Sequence, residues 1–380
     1  MKTAERFSGI EISEIRKMNA LANAETINLG IGQLPDLLPE CVREAGSKAF
    51  SGGVARYTAN IGDIDLRKAV IKEFNRENGL DYSCENVVIT NGSQGAIWNI
   101  FAAFLNAGDK VLLPNICFSA YETIVKIHGG SVIFYKLTAD FQIDIADFEA
   151  CLKANPDVKF TLINSPSNPC GSVVSADCVK KFCEIANKYD NLCVISDEVY
   201  NKLYFGEIPL SPARFARNFI AVNAISKRCA ATGMRVGWAI SEESTIKPLV
   251  VANQYTSSCA NSISQLAAVQ AFGEEAENFC AKVRKDLAKN AEIVYNSLSQ
   301  IPEISVVLPQ GAFYCMPNIS HFGTSRELAL KLFNECNILT IPGIAFGADG
   351  DKFIRISFAV ESEILEIVTE RIKEFFRKNI

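Results

Sequence analysis

Along the middle of the chain, short unbroken runs of apolar and β-branched residues alternate with stretches whose apolar positions recur every three or four residues. The runs 86-NVVIT-90, 110-KVLLP-114, 131-SVIFY-135, 159-KFTLI-163, 192-LCVIS-196 and 219-FIAVN-223 have the length and composition of strands buried on both faces. Between them, segments such as 175-SADCVKKFCEIANKYD-190, and the stretch holding Ile97, Ile100, Phe101 and Phe104, keep helical spacing. This alternation predicts an α/β domain in which a mostly parallel sheet lies between helices. The chain ends differ in texture. Runs at 304-ISVVL-308, 312-AFYCM-316 and 353-FIRISF-358, with helical stretches over 325–336 and 361–379, predict a smaller α+β unit. The expected division is a large domain over 42–290 and a small one formed by 1–41 and 291–380. In the last helix, Ile364, Ile367, Val368, Ile372 and Phe375 are expected to make the stripe that packs on the small domain.

Length agrees with two units, because 380 residues exceed the roughly 250–300 that one core fills. A net charge of −5 leaves no basic footprint and argues against nucleic acid as a partner. The most apolar stretch, 96-AIWNIFAAFL-105, is too short to cross a membrane, and the scattered charges of the first twenty residues do not read as a secretory signal. Thirteen cysteines spread from Cys41 to Cys336, without a C-x-x-C pair, read as reduced thiols of a cytoplasmic protein. With only His128 and His321 besides, no metal site is expected, and His128, preceding Gly129-Gly130, reads as a helix end.

Ligands of open α/β sheets bind beyond the carboxyl ends of the strands, so the residues following each apolar run carry the chemistry. After the first run comes Asn91-Gly92-Ser93-Gln94-Gly95, a small-residue turn opening a helix, where free N–H groups and the helix dipole favour an anion such as phosphate. After 159–163 comes Asn164-Ser165-Pro166-Ser167-Asn168-Pro169, a proline-directed turn. After 192–196 come Asp197, Glu198 and Tyr200, and an acid ending a buried strand needs a cation opposite it. After 219–223 come Ser226 and Lys227. A lysine at a strand end, facing a carboxylate and a phosphate cradle, is what a Schiff-base enzyme using pyridoxal phosphate requires.

On these residues the chain resembles the fold-type I pyridoxal-phosphate aminotransferases of class I/II. The strongest motif is 226-SKRCAATGMRVGW-238, a lysine, a small-residue loop and then Gly-x-Arg-x-Gly; 56-RYTANIGDIDLRKA-69, 90-TNGSQGA-96, 164-NSPSNPCG-171, 197-DEVY-200, 309-PQGAFY-314 and 355-RISFA-359 follow the family's order. The resemblance implies that Lys227 holds the cofactor covalently and then moves the substrate's α-proton. It implies that Asp197 pairs with the ring nitrogen, and that Asn168 and Tyr200 bond the ring's phenolate oxygen. Gly92, Ser93 and Gln94, with Ser226 and Arg235, would bind the phosphate, and Phe118 would stack on the ring. Arg355, with Gly32 and Asn168, would take the substrate α-carboxylate. Tyr57 would reach the phosphate of the neighbouring subunit, implying a homodimer with shared sites.

The expected activity is transfer of an amino group from an α-amino acid to a 2-oxo acid by a ping-pong cycle. The alternative is a pyridoxal-phosphate β-lyase acting on cystathionine-like substrates, which uses the same lysine, aspartate and arginines. A nicotinamide dehydrogenase is excluded, because Gly30-Ile31-Gly32 lacks the third glycine of the fingerprint. The chain departs from its family in three places, one being Phe118, which lacks the polar handle that a tryptophan or tyrosine would bring. Ala224 stands where many relatives place a serine, removing one phosphate contact. Arg228, directly after the lysine, is unusual and could add charge at the phosphate, meet a substrate acid or face solvent.

Overall fold

A computed structural model describes residues 1–53 and 55–379. In chain order the strands are β1 (Ile27–Asn28), β2 (Val87–Asn91), β3 (Lys110–Pro114), β4 (Ser131–Tyr135), β5 (Val158–Asn164), β6 (Cys193–Asp197), β7 (Phe219–Ala224), β8 (Val236–Ile240), β9 (Tyr314–Cys315), β10 (Ile338–Leu339), β11 (Ile341–Pro342) and β12 (Ile354–Ser357). All six central apolar runs are strands. With β8 they form a seven-stranded sheet in the order β2-β8-β7-β6-β5-β3-β4. Its middle strands are covered on both faces, which is why continuous apolar runs suit them.

Every pairing in this sheet is parallel except those of β8, which runs antiparallel to both β2 and β7. Reversal of one strand brings its beginning, not its end, to the edge where the other six finish. That single inversion shapes the site described below.

Smaller sheets lie outside this one: β1 pairs with β10, and β11-β12-β9 form an antiparallel set. The run 304–308 is not a strand; only Ser305 bridges, to Asn318. The last helix, Ser362–Asn379, also corrects the expected stripe. Val368, Ile372 and Phe375 are buried, but Ile364 and Ile367 are exposed, and Leu365 and Phe376 take the inward places. Three of the five expected residues thus pack and two give way to neighbours, because the face is set by the partner it meets in the Glu274–Leu298 helix. His128 caps the Ala120–Ile127 helix, as expected, and its Nδ1 meets the Ile124 carbonyl.

Candidate active site

Register places the key residues side by side. Asn91 at the end of β2 pairs with Val236 at the start of β8, and Ala224 at the end of β7 pairs with Gly237. Arg235, immediately before β8, therefore sits between the turn after β2 and the lysine loop after β7.

Gly92 opens the Gly92–Phe104 helix with φ +71°, and a Cβ there would stand 2.6 Å from Arg235 Nη2. A Cβ on Gly237 would stand 2.5 Å from the Ser93 nitrogen. Both glycines let one strand and one guanidinium lie against a helix start, where the first-turn N–H groups have no partner within the helix. Arg235, itself at φ +55°, donates to the Thr232 carbonyl at 2.9 Å and remains exposed at the mouth. Ser93 is half-buried and Gln94 exposed on the same turn. Fork, dipole and N–H groups together form an anion cradle.

Asp197 ends β6 and is 5% exposed. Its Oδ2 accepts from the Tyr121 hydroxyl at 2.7 Å and its Oδ1 from the Val199 N–H at 3.2 Å. Burial raises its carboxyl above the ordinary range, opposed by those donors and by the Lys227 charge. Asn164, its register neighbour on β5, donates to the Asp197 carbonyl at 2.9 Å and accepts from the Asn168 N–H at 2.8 Å. One asparagine thus spaces the aspartate from the turn that carries Asn168.

Lys227 lies in the one-turn Ile225–Arg228 helix beside buried Ser226. Its Nζ donates to the Gly32 carbonyl and stands 5.7 Å and 5.6 Å from the ring centroids of Tyr200 and Phe313. Among the described residues no carboxylate lies within ion-pair reach of it. Burial, and then the charges of Arg355 and Arg235, bring the amine down to about 8 against the weaker pull of Asp197.

Arg355, on β12, is buried, and among the described residues no carboxylate pairs with it. Nη1 donates to Asn168 Oδ1 at 2.9 Å and Nη2 to the Gly30 carbonyl at 2.7 Å, while Nε has no partner among the described residues. Its guanidinium lies 4.4 Å from the Tyr314 ring centroid and 4.9 Å from that of Phe346. The Tyr314 hydroxyl meets that of Tyr200 at 3.0 Å, and a Cβ on Gly32 would strike it. Arg355 and Arg235 both act on Lys227 against the weaker pull of Asp197, so the pocket gathers positive charge and is built to receive anions.

Sequence similarity agrees with this reading of the pocket. The family described as Aminotransferase class I and II matches residues 24–372. The chain belongs to that family. A relative from Methanocaldococcus jannaschii, named a probable aspartate aminotransferase, is 32% identical over 98% of this chain and 99% of its own. One from Bacillus subtilis, named a probable N-acetyl-LL-diaminopimelate aminotransferase, is 32% identical over 97% of this chain and 94% of its own. The solved structure of an aspartate aminotransferase from Thermus thermophilus with maleate superposes with a TM-score of 0.94, at 26% identity, over 98% of this chain and 99% of that one. This is accordingly a pyridoxal-phosphate-dependent aminotransferase of fold type I, passing an amino group from an α-amino acid to a 2-oxo acid. None of these relatives is named as a lyase.

Pyridoxal phosphate fits the donor set of this aminotransferase. Its phosphate matches the glycine-lined cradle under Arg235, its aldehyde matches a buried amine freed of carboxylates, and its ring nitrogen matches Asp197. The structure brings together Gly32, Gly92, Ser93, Asn168, Asp197, Tyr200, Ser226, Lys227, Arg235 and Arg355 at one sheet edge and the loops above it. Phe118 lies half-buried next to Tyr121, their rings at 84° and 5.6 Å. Tyr57 stands apart, 89% exposed on this chain. Two tyrosines were not assigned from the sequence: Tyr121 and Tyr314. Tyr314 ends the motif 309-PQGAFY-314 and Tyr121 lies three residues past Phe118, but their partners, Tyr200 and Asp197, are 114 and 76 positions distant.

Proposed function

We propose that Lys227 is the residue that attaches the cofactor and then carries the proton to and from the substrate's α-carbon. Its desolvated amine carries the reading: with its acidity near 8, about a tenth is neutral at pH 7, against about one part in three thousand for an ordinary lysine. When bound, pyridoxal phosphate supplies the carbonyl carbon that takes the amine and the ring that accepts the electrons of the α-carbon. Asp197, steadied by Tyr121 and Val199, presents a negative charge to the ring nitrogen and keeps it protonated. Gly92, Ser93 and Gln94 supply the helix start for the phosphate, with Ser226 alongside and Arg235 as its counter-ion. Arg355 turns its fork to the substrate α-carboxylate, with Asn168 and the Gly32 backbone beside it. Tyr200, through its hydroxyl, orients the ring oxygen, and Phe118 covers the ring face. The buried rings of Tyr200, Phe313 and Tyr314 exclude water from the amine.

Two copies of the chain share their sites in this proposal, with Tyr57 of each reaching the other's phosphate; the exposure of so large a ring supports it. The large domain spans 42–290, and 1–41 with 291–380 form the small one. We place the enzyme in the cytoplasm, on the strength of thirteen free thiols suited to a reducing compartment.

A panel of amino donors added to the cofactor-loaded protein tests the activity by the shift from the aldehyde to the amine absorbance. Lys227→Ala is expected to abolish both the lysine-linked absorbance and turnover. Retention of full turnover by that variant removes the assignment. Pyruvate and ammonia released from a thioether amino acid without any 2-oxo acid would turn the activity towards elimination.

A further inference from the structure

Arg228 takes none of the three places its sequence position left open. It is 3% exposed. Its guanidinium donates to Glu73 through both terminal nitrogens, at 2.5 Å and 3.1 Å, and to Glu277 at 2.8 Å, and it stacks 4.6 Å from the Phe272 ring centroid. Lys227 and Arg228 are consecutive, yet they share no partner: one faces the cofactor site, the other a carboxylate cluster between the Ile64–Asn78 and Glu274–Leu298 helices. The Arg228 carbonyl is held as well, accepting from Cys280 Sγ at 2.9 Å.

The same carboxylates hold a second loop of the site. Lys202, two positions after Tyr200 and 7% exposed, pairs with Glu77 and lies 3.5 Å from Glu73 and 3.4 Å from Glu277. Its carbonyl accepts from Arg284 at 3.2 Å. Glu73 is fully engaged: burial alone would raise its carboxyl, but Arg228, followed by Lys202 and Arg76, holds it below the ordinary range. Two loops that deliver reacting groups are thereby referred to one pair of acids, the nearly buried Glu73 and the partly exposed Glu277.

Burying the Arg228 and Lys202 charges against Glu73, 11% exposed, is a poor way to gain stability, since apolar residues of equal volume commonly do as well or better. What such a cluster supplies is geometry. The helix that carries Lys227 has four residues, too few to hold its own orientation by backbone bonds. A planar fork bound on two edges fixes the last residue of that turn in angle as well as in distance.

We propose that Arg228 is a positioning residue for Lys227, and that Glu73 and Glu277 are the fixed points through which it aligns the lysine loop with the Tyr200 loop. This rests on Lys227 as the cofactor-attaching residue. The test uses Arg228→Lys, which keeps the charge and loses the fork, together with the paired change Arg228→Met with Glu73→Gln, which removes fork and opposing charge. Apoprotein is mixed with pyridoxal phosphate, and the rate at which the lysine-linked absorbance develops is followed, then its pH titration midpoint, kcat, KM and Tm. Both variants are expected to attach the cofactor about tenfold more slowly and to lose kcat by about the same factor, with the amino-donor KM within about twofold, as a misplaced reacting group would give. Variants that lose Tm yet keep attachment rate, titration midpoint and kcat would show that the cluster serves stability alone and would overturn the proposal. If either fails to fold, Glu277→Ala, which takes away one contact of the fork and leaves Glu73, gives the same reading. Absence of a lysine-linked absorbance in the parent protein would instead strike the assignment of Lys227 and is distinguishable on that ground.

Discussion

Glu198 follows Asp197 and is buried with it, but the two side chains do different work. Ser196 and Ser211 donate to the same Glu198 oxygen, at 2.9 Å and 2.5 Å, on the side of the sheet away from the site's Tyr121. Burial outweighs these donors and pushes its carboxyl from 4.5 up to about 7. Between those values the folded state holds the proton that the unfolded chain has released, so stability falls as pH rises through the window and the full penalty stands above about 7. Glu198→Gln keeps the accepting oxygen and removes the charge. It is expected to raise stability at pH 8 by up to about 3 kcal/mol and to change it little at pH 5, measured by urea unfolding at both values. At this scale Asp197, Asn168 and Lys227 were singled out because each ends or closely follows a strand, and Arg235 and Arg355 because the motifs of the resemblance carry them. Tyr121 was not, since nothing near it in sequence announces an acid on another strand.

At the scale of elements, apolar runs of five residues between helical stretches pointed to the right strands, because burial on both faces leaves little room for polar residues. β8 escaped notice. The run 236-VGWAI-240 lies directly against the Gly-x-Arg-x-Gly motif, and its direction is a matter of sheet pairing, not of composition. The final helix tells the same story from its other side: several apolar residues compete for one stripe, and only contact with the Glu274–Leu298 helix chooses among them. Leu365→Ala is expected to cost about 2–5 kcal/mol, as for a buried leucine, whereas Ile367→Ala, 52% exposed, should stay within about 0.5 kcal/mol. Chemical denaturation of the two variants compares them directly; equal losses would mean that both faces of the helix are packed.

For the whole molecule, the question is whether one chain makes a complete site. If Tyr57 serves the partner's phosphate, Tyr57→Phe should weaken cofactor binding about tenfold, the loss of a hydrogen bond to a charged group, without dissociating the dimer. Mixed dimers of Lys227→Ala with Tyr57→Phe subunits separate the two geometries. A tyrosine acting across subunits rebuilds one native site per mixed dimer and restores tight cofactor binding and activity. A tyrosine acting within its own chain rebuilds none.

The six central strands with their helices, the anion-favouring turn and Lys227 as the candidate reacting residue were legible in the sequence alone, since local apolar patterning and short glycine-rich turns depend on neighbours a few positions away. Only the tertiary structure decided that β8 turns back to deliver Arg235, that Tyr121 braces Asp197, and that Arg228 faces away from the cofactor into a cage of acids. Each of these is a contact between residues far apart in the chain, and the free energy of such a contact resides in the juxtaposition, which no single segment encodes.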